Sequence, residues 1–292
     1  MAQQARRRPQ NAEGAFFVDD SCIDCDTCRW MAPEVFARIG GHSAVVRQPG
    51  SPGRRRAALQ AQLACPTASI GSDAPAREAR QAVDDFPLPV TASVGHLGFH
   101  SRDSFGGTSY LLRTPHGNVM VDCPRFLEPL AKRLEEAGGV RLMLLTHRDD
   151  VADHDRWARR LGCPRVLHER DLPIPGGPVE QPIAGEAPVE LLPGLTAIPT
   201  PGHTAGHVCY HYAADGGLLF TGDHLAWDTG LDQPEAWPDV CWFDWGEQAR
   251  SMERLLAWEF AWILPGHGRR GNAPPHEMRA RLRKLVAWMR AQ

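Results

Sequence analysis

VRLMLLTHRDDVADH, residues 140–154, runs an apolar stretch straight into a crowd of metal-binding side chains. The apolar half reads as a buried strand. It delivers the chain into His147, Asp149, Asp150, Asp153 and His154, five candidate ligands in eight residues. Three further stretches repeat the arrangement: TPGHTAGH at 200–207, FTGDH at 220–224 and LPGHG at 264–268. Each puts a His or Asp just after an apolar run, amid Gly and Pro, as loops at strand ends present ligands from a rigid scaffold. One Pro-Gly-His alone means little. Four such sites in this order, each at an expected strand end, mark a metal centre.

The surrounding chain alternates strands and helices from about residue 91. TSYLLRT and NVMVD flank the PHGN turn as a hairpin. RFLEPLAKRLEEAGG has helical spacing and a Gly stop. AIPT, HVCYHY and GGLLFTGD read as further strands, and EQARSMERLLAWEF and PHEMRARLRKLVAWMRA as amphipathic helices.

In order and residue type, residues 91–292 resemble the metallo-β-lactamase superfamily. That resemblance implies an α/β fold, an αββα sandwich with a dinuclear metal site at one sheet edge. It also implies roles. His147 and His203 bind the first metal, and Asp223 bridges both. His267 binds the second, alongside Asp153 and His154. The opening stretch departs from the family's His-x-His-x-Asp-His: Asp149 stands where the second His belongs, and two residues are added before Asp153-His154. In an extended segment residues two apart face the same way, so His147 and Asp149 can grip one ion. The alternative leaves Asp149 as a helix cap or surface acid, with Asp150 or water coordinating instead. Carboxylate and imidazole ligands suit iron and manganese as well as zinc, so two divalent ions, Zn or Fe, are expected.

The first quarter of the chain carries CIDCDTC at 22–28 and a remote ACPTASI with Cys65. Three thiolates at three-residue intervals, closed by a fourth from a distant turn, fit an iron–sulfur cluster. Structural zinc prefers two separated Cys pairs, which this spacing does not offer. Residues 15–72 resemble a single-cluster bacterial ferredoxin, and Cys at all four ligand positions (Cys22, Cys25, Cys28 and Cys65) implies one [4Fe-4S] cluster. The expected organisation is a tail at 1–14, a small α+β ferredoxin-like domain at 15–72, a linker at 73–90 and the larger domain at 91–292. Cys123, Cys163, Cys209 and Cys241 stand alone and read as buried hydrophobes.

A net charge of -3 and a pI near 6.5 argue against nucleic-acid binding. The basic start leads into no apolar h-region, and no apolar run approaches bilayer length, so a soluble cytoplasmic protein without membrane association is expected. The leading expectation is a metal-dependent hydrolase of an ester, thioester, lactone or amide, in which Asp153 orients the nucleophile while binding metal. The alternative is a dinuclear-iron oxidoreductase fed by the fused ferredoxin. Expected partners are a small-molecule substrate and a redox partner for the cluster. His100, His168 and His224 and the Trp-rich segment 227–245 are weaker candidates, with structural roles at least as plausible, and His207 is expected to brace its loop.

Overall fold

The computed structural model describes residues 1–292. Its larger part is two sheets packed face to face. The seven-stranded sheet runs in the order Gln181–Ile183, Arg165–His168, Leu142–Leu144, Gly117–Val121, Tyr110–Thr114, Val94–His96, Leu88–Pro89. Its first four strands are parallel neighbours and the rest antiparallel. The six-stranded sheet runs Val189–Leu192, Leu195–Pro199, Val208–Tyr212, Leu218–Gly222, Trp262–Pro265, Gly271–Asn272, with one parallel pair, Leu218–Gly222 on Trp262–Pro265.

Period-two alternation sorts the side chains between layers. Tyr110, Leu112, Val119 and Val121 face Leu195, Ala197, Tyr210 and Phe220 across the sandwich. Their neighbours Leu111, Met120 and Met143 turn outward onto Leu130, Leu134 and Trp157, in the helices Glu128–Glu136 and His154–Leu161. On the opposite outer face, Cys209, Leu219 and Ile263 pack on Met252 and Leu282, from Trp245–Leu255 and Pro275–Met289. The expected hairpin pairs Tyr110 with Val121 and Thr114 with Gly117. The result is the expected αββα sandwich.

The front part has its own small core of Phe16, Val35, Phe36, Val45, Leu59 and Ile70, around the helices Thr27–Met31 and Pro52–Ala64. Two stretches expected to be plain are ordered. In the 1–14 segment, Asn11 Oδ1 accepts from Val18 and Val45 N–H, both at 2.9 Å, tying the tail to the small core. The 73–90 segment, expected as a linker, holds the helix Ala76–Asp84 and the sheet's last strand, Leu88–Pro89. That helix buries only Ala82 and is held by ion pairs, Arg55–Glu78 at 2.6 Å and Arg56–Asp85 just beyond its end at 2.5 Å. Such a helix leaves no apolar stripe to read in the sequence.

Candidate metal centre

Four strands end at one edge of the sandwich, where each following loop delivers a candidate ligand. His147 follows Leu142–Leu144, His203 follows Leu195–Pro199, Asp223 follows Leu218–Gly222 and His267 follows Trp262–Pro265. The loops can approach because Gly222, at φ +48°, has no side chain. A Cβ there would meet His207 Nε2 at 2.6 Å and Thr146 Oγ1 at 2.7 Å.

Six side chains converge. His147, Asp149 and His203 form one group whose donor atoms lie within 4.8 Å of one another, and His147, Asp150 and Asp223 form a second. Asp223 faces both sides. Its Oδ2 lies 3.7 Å from Nε2 of His147 and of His203, while its Oδ1 accepts from His267 Nδ1 at 2.8 Å. Asp149 Oδ2 is 3.6 Å from His203 Nε2, and Asp150 Oδ2 is 3.6 Å from His267 Nδ1. His147 Nε2, His203 Nε2 and Asp150 Oδ2 are buried and have no hydrogen-bond partner. Buried donors and acceptors are normally satisfied, so orphaned atoms aimed at one another fit ion binding. His147 Nδ1 meets Thr146 Oγ1 at 3.0 Å, which leaves Nε2 free for an ion.

Burial pushes the Asp150 carboxyl well above the carboxylate range and lowers His147 to about 4. At His267 burial works downward, but Asp223 and Asp150 outweigh it and raise the imidazole to about 10. Burial works upward on Asp223, yet His267, His147 and His203 hold its carboxyl below the usual range. Asp149 is held below the usual carboxylate range chiefly by the adjacent His203 imidazole.

Asp153 and His154 are not brought to this cluster. Asp153 Oδ2 accepts from Phe126 N–H at 2.8 Å, and its Oδ1 lies 3.4 Å from Arg156. His154 opens the helix His154–Leu161, with Nε2 2.7 Å from Pro175 O and Nδ1 2.9 Å from Arg165 Nη1. The physical reason is local. The two added residues, Val151 and Ala152, carry the chain away before the helix starts, with Asp153 at φ +57° as its N-cap residue. Asp150, rather than Asp153, is the acid that stands beside His267, at 3.6 Å. A residue that the sequence reading missed, wholly buried Asp171, braces the site by accepting from Arg148 N–H at 2.9 Å, Thr204 Oγ1 at 2.7 Å and Gly206 N–H at 2.7 Å. His207 lies behind the ligands, its Nδ1 3.0 Å from Thr200 Oγ1 and its ring stacked on His224 at 4.3 Å. Trp242 and Phe243 stand 66% and 49% exposed at the mouth, and both donate backbone N–H to His203 O.

The four front cysteines line one enclosed cavity. Ser69 N–H donates to Cys65 Sγ at 3.3 Å, and the Thr27 hydroxyl lies 3.4 Å from Cys25 Sγ. Burial, reinforced by the neighbouring thiols, pushes the Cys25 thiol up to about 11 and Cys28 further. Buried thiols gathered around a cavity, with donors aimed at sulfur, fit an iron–sulfur cluster rather than isolated free cysteines.

This domain docks on the metal centre. Asp26 pairs with Arg269 at 3.0 Å, two residues beyond His267, and Arg270 lies over the Trp30 ring at 4.5 Å. The Phe105 ring sits 6.1 Å from that of His267. A cleft of about 920 Å³ runs between the two domains, touching both Cys25 and His267.

The family model of the metallo-beta-lactamase superfamily matches residues 102–267, and that of the 4Fe-4S single cluster domain of Ferredoxin I matches residues 18–72. No curated protein matches the chain. Similar solved structures include the DIM-1 metallo-beta-lactamase, 16% identical over 68% of this chain and 95% of that one, with a TM-score of 0.54. BJP-1, a subclass B3 metallo-beta-lactamase of Bradyrhizobium japonicum, is 17% identical over 70% and 92%, with a TM-score of 0.47. TTHA1623, solved in a di-iron-bound form, is 24% identical over 68% and 98%, with a TM-score of 0.48. The chain belongs to the metallo-beta-lactamase superfamily and carries a single-cluster [4Fe-4S] ferredoxin domain ahead of that fold.

Proposed function

We propose that the protein is a dinuclear-iron oxidoreductase that reduces a small molecule with electrons drawn from its own [4Fe-4S] domain. The observation that carries this reading is the docking of the cluster cysteines beside the metal centre, through Asp26–Arg269 and the cleft shared by Cys25 and His267. An electron carrier at that place serves redox chemistry directly, whereas in a hydrolase the cluster would be confined to a structural or redox-sensing role.

The donor set agrees. His147, His203 and Asp149 would hold one ion as two imidazoles and a carboxylate, a combination that suits non-haem iron. Asp150 and His267 would hold the other, with Asp223 between them. A pair of irons would supply one-electron steps. The chain's own residues do the rest. Asp149, 43% exposed, leaves the first position open to solvent, where Trp242 and Phe243 shape the approach. Asp171 fixes the backbone of Arg148 and Gly206, so His147 and His203 keep their spacing. In the metal-free protein His267 Nδ1 keeps a proton shared with Asp223, which must leave when an ion binds.

The hydrolytic reading has one feature in its favour. Acids and imidazoles converge here without a hydroxyl or thiol in attacking position, so water would be the nucleophile for an ester, thioester, lactone or amide. One experiment separates the two. Protein loaded with iron or with zinc is tested for reoxidation by dioxygen after anaerobic reduction, and for cleavage of nitrophenyl ester and thioester probes. Cluster-dependent reoxidation of the iron form without esterase turnover supports the oxidoreductase. Catalytic cleavage by the zinc form, with no difference in reoxidation between cluster-bearing and cluster-free protein, refutes it.

A further inference from the structure

Resting on the oxidoreductase reading, we propose that Thr27, His100 and the segment Gly106–Thr108 form a bonded conduit carrying single electrons from the cluster to the dinuclear site. The path is continuous. The Thr27 hydroxyl lies 3.4 Å from Cys25 Sγ and 3.2 Å from His100 Nδ1. His100 Nδ1 is 2.6 Å from Gly106 O. Two peptide units further on, Thr108 N–H donates to Gly266 O at 2.7 Å, and Gly266 is bonded to His267. From a cluster thiolate to a metal ligand, every step is a covalent bond or a short polar contact.

The hydrogen positions along this path follow from its acceptors. A carbonyl can only accept, so His100 Nδ1 carries the proton and its Nε2 is the acceptor. That acceptor is met by His96 Nε2 at 2.8 Å, which must then be the donor. Both rings are buried, and burial holds His100 neutral, down to about 3. The one Nδ1 proton of His100 is committed to Gly106 O, so the Thr27 hydroxyl bridges the ring and the Cys25 sulfur as a polar contact on each side, at 3.2 and 3.4 Å.

Two adjacent glycines show how tightly the two centres are drawn together. A Cβ on Gly106 would meet Cys25 Cβ at 3.0 Å and Sγ at 3.2 Å, and one on Gly107 would meet Asp150 Oδ2 at 2.5 Å. Consecutive Cα atoms are about 3.8 Å apart, so Cys25 Sγ and Asp150 Oδ2 are separated by no more than about 13 Å. One loop therefore touches a ligand of each group, and neither contact tolerates a side chain. The electron balance is simple. The cluster loses one electron, passing from its +1 to its +2 state, and one ferric ion becomes ferrous. No protein bond forms or breaks, and a low-potential one-electron donor reloads the cluster.

The test uses full-length protein with iron in both places and the site irons ferric, mixed anaerobically with dithionite. Reduction of the site is followed by freeze-quench Mössbauer spectroscopy. Rates in the parent, Cys65→Ala, Thr27→Val and His100→Leu are compared at equal driving force, set from the measured midpoint potentials. Site reduction should be at least about tenfold faster in the parent than in Cys65→Ala, and slowed in Thr27→Val with iron content intact. His100→Leu, which removes the imidazole between Thr27 and Gly106 O, offers a second break in the path should Thr27→Val misfold. Parent-like rates in both Thr27→Val and His100→Leu, with Cys65→Ala slow, overturn the conduit alone. A parent-like rate in Cys65→Ala overturns the oxidoreductase reading and the conduit together.

Discussion

Asp150→Asn should move the metal-free and metal-loaded proteins in opposite directions. Asp150 is 3% exposed, its Oδ2 has no partner, and its nearest cationic neighbour, His267 Nδ1, is 3.6 Å away. Burying a carboxyl that lacks a full partner costs more than burying the neutral amide of the same shape. Removing the acid while keeping its shape should therefore raise the Tm of the metal-free larger domain by about 2–4 °C per kcal/mol recovered. With metal bound the same change removes a negative charge beside a cation. At about 4 Å and an effective dielectric near 20 that attraction is about 4 kcal/mol, or roughly three decades in affinity. Thermal scans of chelated and metal-loaded protein, with titration of manganese or zinc into the chelated form, read both signs. Unchanged metal affinity in Asp150→Asn, together with a loss in Asp153→Asn and His154→Gln, would refute the assignment of Asp150 and restore the Asp-His pair.

Three further outcomes are expected. Cys65→Ala should abolish the broad visible absorption of the cluster, whereas Cys209→Ala should leave iron content unchanged, as checked by spectroscopy and iron analysis. Asp149→His should keep two metals but shift preference towards zinc, because imidazole replaces an oxygen donor in the set with His147 and His203; competition titration of iron against zinc reads this. Stability should fall with acid. His100 is depressed by burial from its ordinary 6.5 to about 3, so the unfolded chain binds a proton that the folded chain refuses between those values. Its contribution is complete above pH 6.5 and is lost as pH falls, by up to about 1.4 kcal/mol per pH unit. Denaturant unfolding of holoprotein at pH 7 and pH 5.5 should show this, with a smaller drop in His100→Gln.

The sandwich was legible because its strands alternate cleanly and end in ligands. LMLL leads to His147, and LLFTG leads to Asp223, so an apolar run predicted both the strand and the edge at which the site opens. The two-residue spacing of His147 and Asp149 placed them on one side of the chain, and the structure gathers both with His203. The acid of the second group was not legible. Matching Asp153-His154 to a familiar pair assumed that the pair stays at the site, whereas here Val151 and Ala152 separate it from the cluster, the helix His154–Leu161 takes it up, and Asp150 is the acid buried at the centre. A signal was present: Asp153 stands before an amphipathic run that stops at Gly162, the pattern of a helix start and stop. The approach of the two domains through Gly106 and Gly107 is a tertiary contact between residues some eighty apart, and no local periodicity encodes it. Asp171 was hidden for the same reason, since its partners Thr204 and Gly206 come from another sheet.

The most direct test of the account is the metal inventory of protein purified anaerobically without added metal, counted per chain and resolved by Mössbauer spectroscopy. About six irons, with the two beyond the cluster as a separate pair that Asp223→Ala depletes while the cluster remains, is the predicted result. About four irons beside two zincs, with ester or thioester cleavage lost in Asp223→Ala, would contradict it.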